Sequence, residues 1–394
     1  MFLFMPRQKT NPIQWRVILY LINNGNSTIT EVSHEIGLSI PTTTKLINSL
    51  CEIGYVQEYG KLDSSEGRHP ILYGVNPDSA YFVGVDMINN SLTIGITDFR
   101  GSLVDMRADI PYQYDNTPAS LEKLCSIVDK TLGGSVIERG KIRGLNVNIS
   151  GRVNSKTGYS YSMFNFSEEP LAAVLSERLG LDVGIDNDSR AMAYGEYVQG
   201  GGKERDVFFV NLSWGLGSGI IIDGRLYGGC SGFAGEFGHM HFFDNEQLCH
   251  CGKKGCLETE VSGRALRRNI IARIEKGESS ALSKVYREKG DIGLMDIIHA
   301  IKGDDMLCID ALEALGSKLG EALAGVINIF NPELIVIGGM LSLTEDNLLQ
   351  PVKMGIRKYA LSMVQKDTKI RLSKLKDKAG IIGSCLLARR RFLE

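Results

Sequence analysis

The sequence predicts an α/β protein with a small, mainly helical N-terminal domain and a larger body of alternating strands and helices. The chain has 394 residues, of which 43% are hydrophobic, so it exceeds one ordinary domain of about 150 residues and can bury sizeable cores. Apolar residues recur at helical spacing up to residue 53, whereas short apolar runs alternate with helical stretches from Tyr81 onward. Two groups of three short apolar runs show a similar pattern, which indicates a body built from two similar halves.

The overall composition excludes several classes of protein. The formal net charge is −2, so any binding to nucleic acid must be local. No stretch approaches the roughly 18 to 20 uncharged apolar residues of a membrane-spanning helix, and the apolar start at residues 1–5 is too short for a signal peptide. The eight cysteines are scattered except for three between residues 249 and 256, which predicts reduced thiols and a cytoplasmic location.

The first eighty residues predict three helices. One covers residues 13–24 and stops at an Asn-Gly-Asn sequence. A second follows the hydroxyl residues 27–28, which can cap it, and ends at Gly37. A third begins after the capping residue Ser39 and runs to about residue 53. Two helices joined by a glycine-containing turn form a helix-turn-helix.

The second helix of such a motif enters the major groove of DNA. Here its first turns carry small hydroxyl side chains and one cation, which suit base edges and phosphates: Thr42, Thr43, Thr44 and Lys45. The alternating stretch and polar turn over residues 56–73 predict a β-hairpin wing, with Arg68 placed to contact a phosphate or the minor groove. These features predict a winged helix-turn-helix DNA-binding domain over residues 1–80.

The low charge of this segment leaves an alternative open. Residues 1–80 contain six basic and seven acidic residues, which also suits a small helical protein-interaction module. A DNA-binding domain with so little positive charge would need two copies to act together. Because two-fold DNA sites match symmetric proteins, we expect a homodimer or homotetramer.

The body predicts two meanders of three strands each. The first comprises residues 82–86, 92–97 and 103–106, and the second comprises 207–211, 219–222 and 225–227. Between them lie a helix at 118–133, a strand at 145–149, a helix at 171–179, a strand at 183–186 and a helix from Ser189. A duplicated unit of this kind is typical of the two-lobed actin/hexokinase-like (ribonuclease H-like) fold.

A cysteine-rich loop is the most specific motif. Cys249, Cys251 and Cys256 lie within eight residues that also contain two glycines. Three thiolates in a tight loop are suitable ligands for a tetrahedral structural zinc, and a histidine can complete the set. The candidate histidines are His239, His241 and His250, and reduced free cysteines without metal are the alternative.

A second motif, Asp-Asn-Asp-Ser at residues 186–189, lies where a predicted strand ends and a helix begins. A carboxylate there could accept a proton from a sugar hydroxyl, as the base of a kinase must, or could hydrogen-bond that hydroxyl. A pure helix-capping role for Asp188 is the alternative.

With these motifs the sequence resembles the ROK family, which comprises repressors, open reading frames and sugar kinases, from about residue 13 to the C-terminus. The resemblance implies that His239 is the fourth zinc ligand beside Cys249, Cys251 and Cys256. It implies that Asp188 would be the catalytic base if kinase activity survives. It also implies a sugar-binding set: Asn165, Asn187, Asp188, Glu236, His239 and Glu258.

The chain departs from the family's kinases in the loops that hold ATP phosphates. The motif Asp-x-Gly-Gly-Thr corresponds to Asp-Met-Ile-Asn-Asn at 86–90, and Gly-Thr-Gly corresponds to Ser-Trp-Gly at 213–215. The segment at 150–151 is Ser-Gly instead of Pro-Gly. Glycine lets backbone N–H groups approach phosphate, and phosphoryl transfer depends on holding phosphate and metal in position. The glycine pair at 338–339 resembles the nucleotide-side motif, and its retention is compatible with a role in the fold alone.

These observations predict a sugar-responsive transcriptional regulator, a repressor rather than an activator. Its expected partners are operator DNA and a monosaccharide or sugar phosphate, with no membrane contact. The expected domains are the winged helix at 1–80, a first lobe at 81–187 plus 378–394, and a second lobe with the zinc loop at 188–377. An ATP-dependent sugar kinase with a secondary DNA-binding domain, residual nucleotide binding and an unliganded scaffold remain alternatives.

Overall fold

The computed structural model describes residues 12–61, 69–88 and 90–394. The chain divides into two compact units. The first unit comprises Met1–Asn148, Gly158–Ile185 and Ser384–Glu394, and the second comprises Ile149–Thr157 and Asp186–Gly383. None of the helices in the described ranges combines the length and the apolar character that a membrane-spanning segment requires. The three-domain division expected from the sequence stays a prediction.

The first unit begins with the helices α1 (Pro12–Asn24), α2 (Ile29–Ile36) and α3 (Ile40–Glu52). Local capping explains their bounds. The Thr28 hydroxyl accepts a hydrogen bond from the backbone N–H of Glu31, whose carboxylate accepts one from the backbone N–H of Thr28, so the two residues form a capping box. Gly37 in the left-handed conformation ends α2, and the Ser39 hydroxyl caps α3. The predicted helix-turn-helix is confirmed.

A small sheet completes this part of the chain. Its strands are β1 (Ser27–Thr28), β2 (Val56–Lys61) and β3 (Ile71–Val75), paired antiparallel in the order β1-β3-β2. The predicted hairpin wing is therefore present, whereas β1, only two residues long, was not predicted. The tip of the hairpin, including Arg68, lies outside the described residues.

Two five-stranded sheets form the body. The remaining strands are β4 (Tyr81–Ile88), β5 (Ser91–Thr97), β6 (Leu103–Pro111), β7 (Ile142–Ile149), β8 (Val153–Asn154), β9 (Tyr159–Ser160), β10 (Val183–Asn187), β11 (Val207–Leu212), β12 (Leu216–Ile222), β13 (Arg225–Leu226), β14 (Leu334–Gly338) and β15 (Lys369–Leu372). The sheet orders are β6-β5-β4-β7-β10 and β13-β12-β11-β14-β15. In each, an antiparallel meander continues through its first strand into parallel pairing, β4 with β7 and β11 with β14. This repeated topology confirms the predicted fold class.

Helices cover these sheets. The remaining helices are α4 (Pro118–Gly133), α5 (Leu171–Leu179), α6 (Asp188–Gln199), α7 (Gly263–Glu275), α8 (Leu282–Lys289), α9 (Leu294–Lys302), α10 (Met306–Phe330), α11 (Asp346–Tyr359), α12 (Ser362–Gln365) and α13 (Ala379–Leu393). The largest apolar core of the second unit joins α7, α9, α10 and α11 to β11, β12 and β14. Burial of its aliphatic side chains holds the sheet that positions the candidate sites.

Within the first unit, the N-terminal helices pack directly on the first sheet and on α13. Trp15 contacts Phe392 with ring centroids 5.5 Å apart, and Tyr55 contacts Phe99 at 5.6 Å. The Arg100 side chain donates to Val75 O at 3.3 Å and to Asn26 Oδ1 at 3.2 Å. The N-terminal helical part is thus held by aromatic packing, and the wing by an arginine from the turn between β5 and β6.

Candidate functional sites

The outer face of α3 is the candidate DNA-binding surface. Thr42 and Lys45 are exposed, whereas Thr44 is half-buried and its hydroxyl donates to Ile40 O at 2.8 Å. Asn48 is exposed three residues after Lys45, on the same helix face. The sequence prediction missed Asn48, although its spacing from Thr42 and Lys45 could have indicated it.

Thr43 requires a correction. Its side chain is 0% exposed, and its hydroxyl donates to Ser39 O at 3.1 Å. It shares a face with the buried residues Ile47 and Leu50. A side chain packed in the domain core cannot contact base edges, so the prediction that Thr43 binds DNA is incompatible with this conformation.

The cysteine loop brings four candidate metal ligands together. Atoms of His239, Cys249, Cys251 and Cys256 lie within 4.8 Å of one another. The Nδ1 atom of His239 lies 3.6 Å from the sulfur of Cys249, and the sulfurs of Cys251 and Cys256 are 3.6 Å apart. Bonds of about 2.3 Å to sulfur and 2.0 Å to nitrogen place tetrahedral zinc ligands at roughly such separations. The donor set therefore fits a zinc ion.

His250 lies beside this cluster and contacts Glu258. His250 Nδ1 lies 2.7 Å from Glu258 Oε1, and a second possible metal group of Cys249, His250 and Glu258 shares only Cys249 with the first. Burial raises the pKa of the Cys249 thiol to about 12, so a metal that binds its thiolate must displace a proton. A cluster that could hold a metal is thus present.

Glu258 joins the cysteine loop to the sheet. It is 8% exposed, and its Oε2 accepts a hydrogen bond of 2.8 Å from the backbone N–H of Leu216, the first residue of β12. Burial opposes its ionisation, but the hydrogen bonds from His250 and Leu216 hold the pKa of this carboxyl below its ordinary value. Both carboxylate oxygens are therefore already hydrogen-bonded within the chain.

The junction between β10 and α6 holds two further candidates. Asn187 is the residue that caps α6, because its Oδ1 accepts from the backbone N–H groups of Ser189 and Arg190, and its Nδ2 donates to Gly151 O at 3.0 Å. Asp188 is the first residue of the helix. The capping role considered for Asp188 therefore belongs chiefly to Asn187.

Asp188 is a half-buried carboxylate held by hydroxyl and amide donors. Its Oδ2 accepts from Ser150 Oγ at 2.8 Å, and its Oδ1 accepts from the backbone N–H of Ser189 at 2.6 Å. Burial raises the pKa of Asp188 despite these hydrogen bonds. Among the described residues, no cation forms an ion pair with it. Its oxygens can therefore still accept from a ligand hydroxyl.

Arg190 organises the segments around this junction. It is 3% exposed, forms an ion pair with Asp186 at 2.7 Å, and donates to Val153 O at 2.9 Å and to Gly232 O. These contacts fix the loops that carry Ser150 and Glu236. The sequence prediction did not identify this role, because the two carbonyls are 37 and 42 residues away.

Two other predicted sugar-binding residues, Glu236 and Asn165, are exposed. Glu236 is exposed beside His239, with 3.8 Å between Oε2 and Nε2. Asn165 is exposed in the first unit and is hydrogen-bonded to Asn116. That these residues act together on one sugar stays a prediction.

Several polar groups of the turn between β11 and β12 are hydrogen-bonded within the chain. The backbone N–H of Ser213 donates to Gly215 O at 3.0 Å, and Ser213 O accepts from Gly263 N at 2.8 Å. Trp214 packs against the apolar core. Gly217 and Gly219, which follow this turn, lie in β12. A Cβ at Gly219 would come within 2.4 Å of the Ala193 side chain, so this glycine serves helix–sheet packing.

The remaining nucleotide-side residues also have structural roles. Asp86 is 6% exposed and accepts a hydrogen bond of 3.0 Å from Asn148 Nδ2. Gly339 has φ +83°, and a Cβ there would lie 2.6 Å from the backbone of Leu212. Close approach to β11 accounts for this glycine without a nucleotide.

Two family models match the chain. The model described as ROK family matches residues 89–391, and the model described as winged helix-turn-helix DNA-binding matches residues 10–57. The xylose repressor of Caldicellulosiruptor bescii is 30% identical to this chain over 372 residues, which cover 93% of this chain and 92% of the repressor. Both parts of the chain therefore have counterparts in a relative of similar length.

Two solved structures match different shares of the chain. A ROK family transcriptional regulator, a homologue of the E. coli Mlc protein, covers 97% of this chain with a TM-score of 0.82 and 27% identity, and 97% of its own chain is matched. A ROK family glucokinase from Streptomyces griseus, in complex with glucose and AMPPNP, covers 79% of this chain with a TM-score of 0.70 and 28% identity, and its own chain is matched over 100%. The regulator matches the chain over almost its full length, and the kinase matches a smaller part.

Proposed function

The chain belongs to the ROK family and is a transcriptional regulator; from that premise we propose that a bound monosaccharide or sugar phosphate sets its affinity for operator DNA. In this proposal it represses genes of carbohydrate metabolism and acts as a symmetric dimer or tetramer. The observation that carries the proposal is the contrast within the second unit. Asp188 keeps a half-buried carboxylate, whereas the turn at Ser213–Gly215 uses the N–H of Ser213 within the turn and packs Trp214 on the core.

DNA contact is assigned to the outer face of α3. This helix carries three exposed polar side chains, Thr42, Lys45 and Asn48. In a helix-turn-helix the second helix contacts base edges in the major groove, and amide and hydroxyl groups suit base edges while an ammonium suits phosphate. Arg68 keeps its predicted contact with the minor groove or a phosphate.

Sugar contact is assigned to the amides and carboxylates that remain accessible. Asp188 and Glu236 accept from ring hydroxyls, Asn187 contributes its remaining amide hydrogen, and Asn165 contributes its amide. Glu258 and His239, which the family resemblance also implies, act chiefly by holding the metal loop in place. Zinc is the metal of that loop, because three thiolates and one imidazole form a closed tetrahedral set for it.

The coupling between sugar and DNA needs a physical path. A ligand changes DNA affinity only if it binds two conformations with different affinity. The wing is held to the first sheet by Arg100, whose guanidinium carbon also lies 4.6 Å from the centre of the Tyr59 ring. Because the DNA-binding domain is packed on the first sheet, a movement of that sheet also moves α3. No flexible linker is needed for this coupling.

DNA binding by α3 is tested with a duplex selected from a random pool by the wild-type protein. Lys45→Ala should weaken binding to that duplex about tenfold, since a charge-assisted contact contributes about 1.5 kcal/mol or more. The matched control is Lys284→Ala, which removes an exposed cation in the second unit and should leave binding unchanged. Equal binding by wild type and Lys45→Ala would contradict the assignment.

An active sugar kinase is the other candidate, since the matched glucokinase was solved with glucose and AMPPNP. The turn at Ser213–Gly215 argues against it: the backbone N–H of Ser213 donates to Gly215 O, and the bulky Trp214, which packs on the core, stands where the family's kinases have threonine, so less of the turn can hold phosphate. An ATP-dependent phosphorylation assay on D-glucose, D-xylose and N-acetylglucosamine decides between them. Turnover at roughly 1 to 100 per second, the range typical of kinases, would overturn the proposal.

A further inference from the structure

Asn165 lies in a surface loop that is tied to the segment before α4. The backbone N–H of Phe164 donates to the Tyr114 hydroxyl at 3.0 Å, and the backbone N–H of Asn165 donates to Asn116 Oδ1 at 3.1 Å. The rings of Tyr114 and Phe164 also meet edge to face at 5.0 Å. The loop is therefore held at its backbone by side chains of one short segment.

Phe164 adds a second sign that this loop is held in place. Its φ is +52°, in the left-handed region, and its ring is 4% exposed. A bulky non-glycine residue keeps this conformation only where its surroundings impose it. Burial of the ring against Tyr114 supplies that constraint, so Asn165, the next residue, is presented from a fixed backbone.

The side-chain amide of Asn116 can lie in only one orientation. Its Oδ1 accepts from two donors, the backbone N–H of Asn165 and the Tyr114 hydroxyl, the latter at 3.1 Å. A backbone N–H is always a donor, so the atom that faces it must be the oxygen. The Nδ2 atom of Asn116 is consequently the one that faces the side chain of Asn165.

This orientation determines the orientation of Asn165 in turn. Asn116 Nδ2 donates to Asn165 Oδ1 at 2.7 Å. If the Nδ2 atom of Asn165 occupied that position instead, two donors would face each other. Asn165 Nδ2 therefore lies on the other side, where one hydrogen donates to Tyr161 O at 3.4 Å. Among the described residues, its second hydrogen has no acceptor.

We propose that Asn116 is a positioning residue for the effector: it turns the amide of Asn165 so that Asn165 offers a donor, and the sugar atom that meets it acts as an acceptor. The inference rests on the proposed function, because it assumes that Asn165 contacts the sugar. It adds that, at this one contact, the protein is the hydrogen-bond donor and the sugar is the acceptor. A hydroxyl, a ring oxygen, an acyl carbonyl or a phosphate oxygen satisfies this polarity, whereas a group that only donates does not.

The first test needs no ligand. Asn116→Asp keeps an acceptor for Asn165 N–H and for Tyr114, but it replaces the donor that faces Asn165 Oδ1 with a second acceptor. Neutron diffraction from sugar-free crystals of both proteins should show Asn165 Nδ2 turned away from residue 116 in the wild type and turned toward it in the variant. The same Asn165 orientation in both proteins would overturn the inference.

The second test uses D-xylose and D-glucose as probes in calorimetry. Asn116→Ala and Asn165→Ala should each weaken binding of the bound sugar about 3- to 10-fold, the size of one hydrogen bond. Because Asn116 acts through Asn165, the double variant should bind no more weakly than Asn165→Ala alone. Additive losses would instead assign Asn116 a separate structural role and overturn the inference.

The two failures are distinguishable. If the wild type binds neither sugar but shows the expected amide orientation, the assignment of sugar to this site fails while the positioning of Asn165 by Asn116 stands. If the wild type binds sugar and the variants are additive, the sugar-binding function stands and the inference fails.

Discussion

Glu258 and Asp188, two of the three carboxylates in the second unit that were predicted to bind a sugar, have surroundings that differ in kind. Glu258 lies in the cysteine loop with both oxygens hydrogen-bonded, one to a histidine and one to a strand, and its pKa is lowered. Asp188, at the junction of β10 and α6, has only hydroxyl and amide donors and no ion pair among the described residues, and its pKa is raised. The surroundings of Glu258 thus stabilise its charged form, whereas Asp188 is the carboxylate that we propose binds a ligand.

Because the two pKa values shift in opposite directions, we expect Glu258 to contribute mainly to stability and Asp188 mainly to sugar binding. A carboxylate with a lowered pKa gains free energy from its surroundings in the charged form, whereas one with a raised pKa loses free energy by being ionised there. Changes in the cysteine loop should therefore affect melting first, and changes at Asp188 should affect sugar affinity first.

The largest effect is expected from the metal ligands. Cys256→Ser should abolish binding of one zinc per chain and lower the melting temperature on the order of 10 °C, because structural zinc contributes folding free energy directly. Metal content by mass spectrometry and melting by calorimetry measure both. Cys230→Ser, an exposed cysteine outside the cluster, is the matched control. Full zinc content in Cys256→Ser would refute the ligand set.

Glu258→Gln should cause the next largest loss. It removes the charge that pairs with His250 and weakens the acceptor for the N–H of Leu216, so about 1 to 3 kcal/mol of stability should be lost. Thermal or urea unfolding measures this change. Glu246→Gln, an exposed carboxylate of the same loop region, should be close to neutral. A loss of sugar affinity larger than the loss of stability in Glu258→Gln would show that Glu258 acts in recognition and not mainly in the fold.

Asp188→Asn should show the reverse pattern. Sugar affinity should fall about 10- to 100-fold, because a hydrogen bond to a charged acceptor contributes roughly 1.5 to 3 kcal/mol. Stability at neutral pH should be unchanged or higher. The raised folded pKa means that ionisation of Asp188 lowers stability as the pH rises through that pKa, and asparagine removes this penalty. Unchanged sugar affinity would place Asp188 outside the site.

The smallest effect is a dependence on pH. If the ionised Asp188 accepts from a sugar hydroxyl, affinity should decline as the pH falls through its raised pKa, above the ordinary aspartate value of 3.8. Calorimetric titrations at descending pH should show this decline in the wild type. Asp188→Asn should show none in the same range, and an identical decline in both proteins would assign it to another group.

The elements of this fold could be predicted because their causes are local. Thr28 with Glu31 and Ser39 with Thr42 lie three residues apart, so the helix starts follow from neighbouring residues. The alternation of apolar residues predicts the strands in the same way. Thr43 was placed wrongly because a run of threonines suggested one common role, although its helical spacing to Ile47 indicates the core.

The contacts that define the sites are separated in the chain. Glu258 meets Leu216 across 42 residues, Asn116 meets Asn165 across 49, and Arg100 meets Asn26 across 74. Such pairs form only once the sheets have assembled, so neither propensity nor spacing could reveal them. The three cysteines were identifiable because a metal loop draws most of its ligands from one short segment.

The most direct test of the account is the affinity of the wild-type protein for its selected duplex, measured by fluorescence anisotropy with and without each sugar of a panel, at one fixed salt concentration. The panel contains D-xylose, D-glucose, N-acetylglucosamine and their 6- or 5-phosphates. The account predicts that at least one member shifts the dissociation constant about fivefold or more, and that Asp188→Asn reduces the shift. An affinity that no member changes would contradict the proposal that a sugar controls this regulator.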